Sequence, residues 1–238
     1  MNYVISDLHG RYDKYKALLK KINFNENDNL YFLGDALDRG HEGFKILLDM
    51  ANRPNVFAIM GNHEAMAIEA LPVLMRIRMR KGKKAQLTRK EFEAVEIWIQ
   101  NGGEPSFKDF ISLSDEDRQK VWDYMKSLPL YREIEVEGRE FILLHGGLKG
   151  YSPERRLDEY TQDDIVWHRP RPCSAYYPDK CVIVGHTPVQ LMRDRVGVQE
   201  SQAKIFKGKG YIDIDCGCVF RDGRLGCLCL DSMKEVYV

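Results

Sequence analysis

Met1-Asn2-Tyr3-Val4-Ile5-Ser6-Asp7-Leu8-His9-Gly10 opens the chain as a short apolar strand that runs straight into Asp-x-His-Gly. Alternation along an extended strand end lets side chains two residues apart face the same way. Asp7 and His9 can then offer an oxygen and a nitrogen to one metal ion. Alone, the pair is a weak signal and reads more readily as a surface carboxylate and a capping imidazole. The weight comes from the strands downstream of it.

The same plan recurs twice. Tyr12 to Lys21 has a helical pattern, with Tyr15, Leu18, Leu19 and Ile22 on one face. Leu30 to Leu33 is an apolar strand that ends in Gly34-Asp35. Phe44 to Ala51 is helical again, and Val56 to Met60 is a third strand ending in Gly61-Asn62-His63-Glu64. This βαβαβ order predicts a parallel sheet with polar loops at the carboxyl ends of its strands. Asp7, His9, Asp35, Asn62 and His63 all fall on those loops.

Farther along, helices are predicted over Ala65 to Arg80 and Arg89 to Gln100, around a basic, glycine-containing turn. Ser114-Asp115-Glu116-Asp117 reads as a capping box that opens a helix to about Lys126. Strands over Leu130 to Val136 and Arg139 to Leu144 flank a Glu137-Gly138 hairpin signal, and the second ends in His145-Gly146-Gly147. Cys181 to Val184 is a buried strand ending in Gly185-His186-Thr187. Three more strands are predicted over Tyr211 to Ile214, Gly217 to Arg221 and Arg224 to Leu230, with a type I′ turn at Asp222-Gly223. There is no internal repeat and no linker. The expectation is one domain over 1–238, a mixed α/β (α+β) fold of two sheets with helices outside and a basic helical insertion at about 65–100.

Four strand ends therefore carry metal-competent side chains, Asp7 with His9, Asp35, Asn62 with His63, and His145. His186 stands on a fifth. The set is oxygen and nitrogen without cysteine, which argues against a closed structural zinc site. Mixed carboxylate, amide and imidazole ligands suit a catalytic pair of divalent ions, with manganese expected and iron or zinc as alternatives. Two such ions can clamp both ends of an in-line phosphoryl displacement.

Ser6-Asp7-Leu8-His9-Gly10, Gly34-Asp35-Ala36-Leu37-Asp38-Arg39-Gly40, Gly61-Asn62-His63-Glu64, His145-Gly146-Gly147 and Gly185-His186-Thr187, in this order, resemble the metallophosphoesterase signature. More narrowly they resemble the phosphoprotein phosphatase family, and within it the small prokaryotic and phage branch typified by bacteriophage lambda protein phosphatase. Trp98-Ile-Gln-Asn101-Gly102-Gly103, Val166-Trp167-His168-Arg169 and Ile214-Asp215 through Phe220 are similar to segments of that branch. The resemblance implies an αββα sandwich. It implies that Asp7, His9 and Asp35 hold a first metal, and that Asp35 bridges to a second completed by Asn62, His145 and His186. It further implies that His63 protonates the leaving oxygen, that Asp38 orients His63, and that Arg39 and Arg169 grip the phosphate, with Arg171 close behind Arg169. His41, His168 and Glu64 receive no ligand role. The chemistry is coherent: water on two cations is a nucleophile near neutral pH and attacks phosphorus directly, so no phosphoenzyme is needed. An alkoxide leaving group needs a proton, hence a histidine acid. Charge on the equatorial oxygens needs fixed cations, for which arginine offers a planar fork.

The expected activity is metal-dependent hydrolysis of phosphomonoesters, with phosphoserine or phosphothreonine in proteins as substrate and phosphotyrosine as a further option. Symmetrical diadenosine tetraphosphate hydrolysis is the nearest alternative. That related branch typically lacks the Asp of Asp-Arg-Gly and reads Gly-Asn-His-Asp, whereas this chain has Asp38 and Glu64. Phosphodiesterases of the wider superfamily usually carry Gly-His-x-His, and Pro188 stands at the second position here. Ser6, where the family often has glycine, is expected to be harmless.

Composition agrees. The 238 residues are 44% apolar and 30% charged, with 36 basic against 36 acidic side chains, so no net field draws the chain to nucleic acid or to a membrane surface. No apolar run reaches the ~18 residues of a membrane span, and no signal peptide precedes the first strand, so a cytoplasmic protein with reduced cysteines is expected. Eight basic residues between Arg76 and Lys90 read as a solvated helical face, or alternatively as a docking surface for an anionic partner. A hairpin at Asp222-Gly223 would place Cys216, Cys218, Cys227 and Cys229 on one sheet face, as buried apolar thiols rather than a zinc site.

Overall fold

The structure is a computed structural model that describes residues 1–79, 86–195 and 203–238. Arg80, Lys81, Lys83 and Lys84, half of the basic run, lie outside the described residues, as does the turn expected there.

Two five-stranded mixed sheets form the centre. The first has the order β10 (Lys234–Tyr237), β9 (Gly226–Cys229), β1 (Asn2–Ile5), β2 (Asn29–Phe32), β3 (Val56–Ala58). Its βαβαβ half is parallel, with Tyr3 opposite Leu30 and Leu30 opposite Val56. The second has the order β4 (Tyr131–Val136), β5 (Arg139–Leu144), β6 (Lys180–Val184), β8 (Tyr211–Asp213), β7 (Phe206–Lys207). Here β5, β6 and β8 run parallel, and β4 joins β5 through a two-residue hairpin in which Glu137 and Gly138 both take positive φ, as that turn type requires.

Strand alternation divides the core. Val4, Leu228, Phe141, Leu143, Ile183 and Ile212 project inward and join both sheets in one buried cluster. Ile5, Leu30, Phe32, Ile142, Val182 and Val184 project outward under helices and loops. The result is the αββα sandwich. Helix α1 (Tyr12–Lys21) buries Tyr15, Leu18 and Leu19, and α2 (Gly43–Ala51) buries Phe44, Ile46, Leu47 and Met50. Helix α3 (Asn62–Met79) follows β3. Helix α4 (Arg89–Gln100) begins at a capping box in which Thr88 and Glu91 exchange bonds. Helices α5 (Glu104–Ser112) and α6 (Asp115–Ser127) come next, the latter capped by Ser114 on the Asp117 N–H. Two short helices, α7 (Gln162–Val166) and α8 (Val189–Arg195), are tied to loops that follow strands of the second sheet, the Gly146 N–H donating to the Ile165 carbonyl and the Val189 N–H to that of Asp215. None of the described helices is long and apolar enough to cross a membrane.

The carboxyl-terminal hairpin departs from expectation. Residues Gly217 to Arg221 are not a strand, and Asp222-Gly223 joins no strand pair. Asp215 bends the chain by accepting the Gly217 N–H at 2.9 Å, and Gly217 takes φ +68°, which turns the backbone out of extension. Strand β9 pairs instead with β1, Tyr3 opposite Cys229, and with β10 on its other side. The four cysteines are therefore not one cross-strand array. Cys216 packs between the sheets, and Cys218 and Cys227 pack in the outer core. All four are buried, and none is in a disulfide.

Candidate active site

The parallel strands of both sheets end at one rim, and the loops leaving them hold an unusual backbone. Asp7, His9, Asp35, Asp38, Arg39 and His186 all adopt left-handed φ between 44° and 71°. Such conformations cost of order 1–3 kcal/mol each in a non-glycine residue and persist only where the surroundings over-determine them. The chain spends that energy at the strand ends picked out by the sequence.

Asp35 is the centre. It is 1% exposed, and its Oδ2 has no hydrogen-bond partner. His9 Nε2 and His63 Nε2 each lie 3.8 Å from Oδ2, and His145 Nε2 lies 3.4 Å from Oδ1. Ligand-capable atoms of His9, Asp35 and His63 lie within 4.8 Å of one another, as do those of Asp35, His145 and His186. Asn62 Oδ1 is 2.9 Å from His145 Nε2. The His186 Nε2 is buried and also without a partner. The ring nitrogens opposite the cluster are occupied: His9 Nδ1 lies 2.8 Å from the Leu37 carbonyl, His145 Nδ1 2.6 Å from that of Leu33. Those carbonyls fix the tautomer and leave Nε2 facing inward.

Asp7 is buried beside this group but stands in neither cluster. Its Oδ2 accepts the His186 backbone N–H at 2.9 Å and a short bond from the Ser6 hydroxyl. Gly185 packs so closely on Ser6 and Asp7 that no side chain fits there. Ser6, which departs from the resembled pattern, is thus in direct contact with a candidate ligand.

Electrostatics follow from the bare carboxylate. Burial disfavours a charged imidazole, yet Asp35 and Asp7 outweigh it at His145, whose pKa rises to about 9. At His63 burial is likewise outweighed by Asp35 and Asp38, and the pKa is raised. At His9 and His186 burial prevails, with pKa values lowered to about 3 and about 2. Burial would raise Asp35, but His145 and His63 hold it well below the carboxylate range. The same buried negative charge that favours protons on its neighbours also favours a divalent cation. Orphaned oxygen and nitrogen atoms, fixed tautomers and close spacing all fit two ions that share Asp35.

Beside the cluster, His63 Nδ1 lies 2.6 Å from Asp38 Oδ2, and Asp38 is fully buried. Arg39 fans across both rings, with Nη1 2.9 Å from His9 Nε2 and Nη2 3.1 Å from His63 Nε2. Arg169 donates to the His186 carbonyl at 2.9 Å. Arg171 is exposed and engages Ser174 and Tyr211 through its backbone. His41 is exposed, and His168 packs against Gly147.

Two residues without an assigned role prove central. Glu64, unexposed, accepts backbone N–H groups from Asp35, Ala36, Leu37 and Gly61 at 2.8, 2.9, 3.2 and 3.2 Å. Burial, then Asp35, raises its pKa to about 7 against the bond from the Asp35 N–H and the charges of His145 and His63. Trp98 donates its indole N–H to Asp38 Oδ2 at 2.8 Å. The sequence signal for the first was an acidic side chain following the His63 imidazole into a buried helix start. For the second it was Trp98 ahead of Gly102-Gly103.

The profile of the calcineurin-like phosphoesterases matches residues 3–212. The chain is 27% identical over 176 residues to a serine/threonine-protein phosphatase 2 of Salmonella typhimurium, covering 71% of this chain and 68% of that protein. It is 26% identical over 242 residues to an asymmetrical bis(5'-nucleosyl)-tetraphosphatase of Bacillus subtilis, covering 91% of this chain and 86% of that one. Among solved structures, a protein assigned as a diadenosine tetraphosphatase superposes with a TM-score of 0.62 at 19% identity, over 100% of this chain and 92% of its own. At that identity the likeness concerns the fold.

Proposed function

The chain belongs to the calcineurin-like phosphoesterase family, whose members hydrolyse phosphate esters with divalent metals, and from that premise we propose that its substrate is phosphoserine or phosphothreonine in a protein. The observation that carries this reading is the 2.6 Å pairing of His63 with Asp38. An alkoxide leaves poorly without a proton, so a buried, carboxylate-oriented imidazole serves a serine or threonine ester. A nucleotide leaving from a polyphosphate is already a stabilised anion and gains less from such an acid. The adjoining groove supports the same choice. It runs past Met66, Ile97 and Trp167 and carries the carboxylates of Glu69 and Asp163. Those charges oppose a polyphosphate tail and accommodate a peptide.

In this reading Asp7, His9 and Asp35 hold one ion, and Asp35, Asn62, His145 and His186 hold the other, manganese being the expected metal. When bound, the ions supply Lewis acidity to water and to the phosphate oxygens. Asp38 keeps the His63 ring turned so that Nε2 faces the ester oxygen, to which it delivers a proton. Arg39 already bridges His9 and His63, where its two terminal nitrogens can exchange imidazole for phosphate oxygens. Arg169, anchored on the His186 carbonyl, closes the other side.

A second reading, hydrolysis of a dinucleoside tetraphosphate, is favoured by the similarity to the Bacillus subtilis tetraphosphatase over most of both chains. Phosphate release by manganese-restored protein from a phosphoserine peptide and nucleotide release from diadenosine tetraphosphate, measured side by side, separate the two. Faster turnover of the peptide is expected. Faster turnover of the dinucleotide overturns the protein-phosphatase reading and leaves the site assignments standing.

A further inference from the structure

The corner between α4 and α5 grips the turn that carries Asp38 and Arg39 at three points. Trp98 Nε1 donates to Asp38 Oδ2 at 2.8 Å, the Asp38 N–H donates to Ser106 Oγ at 2.7 Å, and the Arg39 N–H donates to the Gly102 carbonyl at 2.9 Å. Trp98 is fully buried, and its ring lies flat against Gly103, where a methyl group would sit 2.6 Å from an indole carbon. Gly102, at φ +98°, lets the chain pass over the Arg39 side chain. The indole is therefore held in one place by its backbone surroundings.

Asp38 Oδ2 receives both the His63 ring and the indole, while Asp38 Oδ1 is buried with no hydrogen-bond partner. A carboxylate with a single donor can turn about its Cβ–Cγ bond and offer either oxygen. With two donors converging on Oδ2, that rotation is blocked, and the imidazole has one orientation.

We propose that Trp98 is a positioning residue for leaving-group protonation, acting through Asp38 on His63. The inference rests on the reading of His63 as the acid. The indole N–H touches neither substrate nor the candidate ligands, so its contribution is felt in proportion to how much the leaving group needs a proton. A phenolate needs it more than a 4-nitrophenolate, whose charge is delocalised.

The test compares phenyl phosphate with 4-nitrophenyl phosphate in manganese-restored Trp98→Phe protein, with bound metal counted. A second protein carries 3-benzothienylalanine at position 98, which keeps the bicyclic shape and replaces the N–H by sulfur. Should the phenylalanine variant fold poorly, this isostere decides. The expected result is a loss of about tenfold in kcat on phenyl phosphate, the effect of one hydrogen bond to a charged group. Turnover of 4-nitrophenyl phosphate should fall far less, with metal content unchanged. Equal losses on both substrates, or no loss in the isostere, overturn the inference. His63→Ala, run alongside, separates the levels. If it shows leaving-group dependence and the Trp98 variants do not, only the role of Trp98 falls. If His63→Ala shows none, the acid assignment falls and takes this inference with it.

Discussion

The Glu64 carboxylate lies against the Asp35 backbone, its Oε2 2.8 Å from the Asp35 amide nitrogen, and the same side chain receives three further amides. A helix residue of the first sheet's third βα junction thus shapes the loop of its second. Glu64→Gln turns one of the two acceptor oxygens into a donor that faces two amide hydrogens. Leaving buried donors unpaired costs about 1–3 kcal/mol each. Urea unfolding of the metal-free variant should show a loss of at least about 2 kcal/mol. An unchanged midpoint and slope would mean that the four contacts contribute nothing net.

Asp35 is common to both clusters of ligand atoms, whereas Asn62 reaches only the His145 side. Asp35→Asn should therefore empty both positions, and Asn62→Ala should weaken one. Elemental analysis after dialysis against manganese reads this directly. Two ions per chain in Asp35→Asn would refute a shared carboxylate.

His63 lies in the first cluster, yet its Nδ1 is committed to Asp38 and its Nε2 to Arg39. As an acid rather than a ligand, His63→Ala should lose about 10²–10⁴-fold in kcat on alkyl phosphates while keeping its metal. Parallel loss of activity and metal would make His63 a ligand.

The thiols offer a check on packing. Cys173 is exposed, Cys181 is half-buried, and the other four are buried. Burial pushes the Cys218 thiol up to about 12 and raises Cys227 as well, so neither forms thiolate at neutral pH. Titration of native protein with a thiol reagent should find Cys173 quickly and Cys181 slowly, and the remaining four only after unfolding. Zinc released together with those four would show a metal site instead.

Much of this was readable in advance, for identifiable reasons. Apolar runs mark β1, β2 and β3, and β1 is buried on both faces, while helical periodicity marks α1 and α2 because each buries one face; α1 matches its predicted bounds. The rim residues were legible because glycine and polar types cluster where strands end. What stayed hidden depends on side-chain-to-backbone turns and on long-range partners. The strand expected over Gly217 to Arg221 has suitable residues, but Asp215 captures the Gly217 amide and bends the chain first. Helix α5 carries Pro105 in its first turn, a start signal that the Gly102-Gly103 break overshadowed. Edge strand β7 has only two residues, and β10, Lys234–Tyr237, fully buries none of its side chains and so shows no apolar run. The weight borne by Glu64 and Trp98 could not be read locally, since all these partners but Gly61 lie 27 to 60 residues away.

The pairing of β1 with β9 has a consequence for synthesis. Tyr3 and Cys229 are neighbours in the finished sheet, so on the ribosome the strand that leads into Asp7 and His9 can complete its parallel side early, yet it keeps an open edge until residue 229 has emerged. Between the synthesis of β1 and that of β9 the nascent chain displays an apolar strand with one edge unpaired.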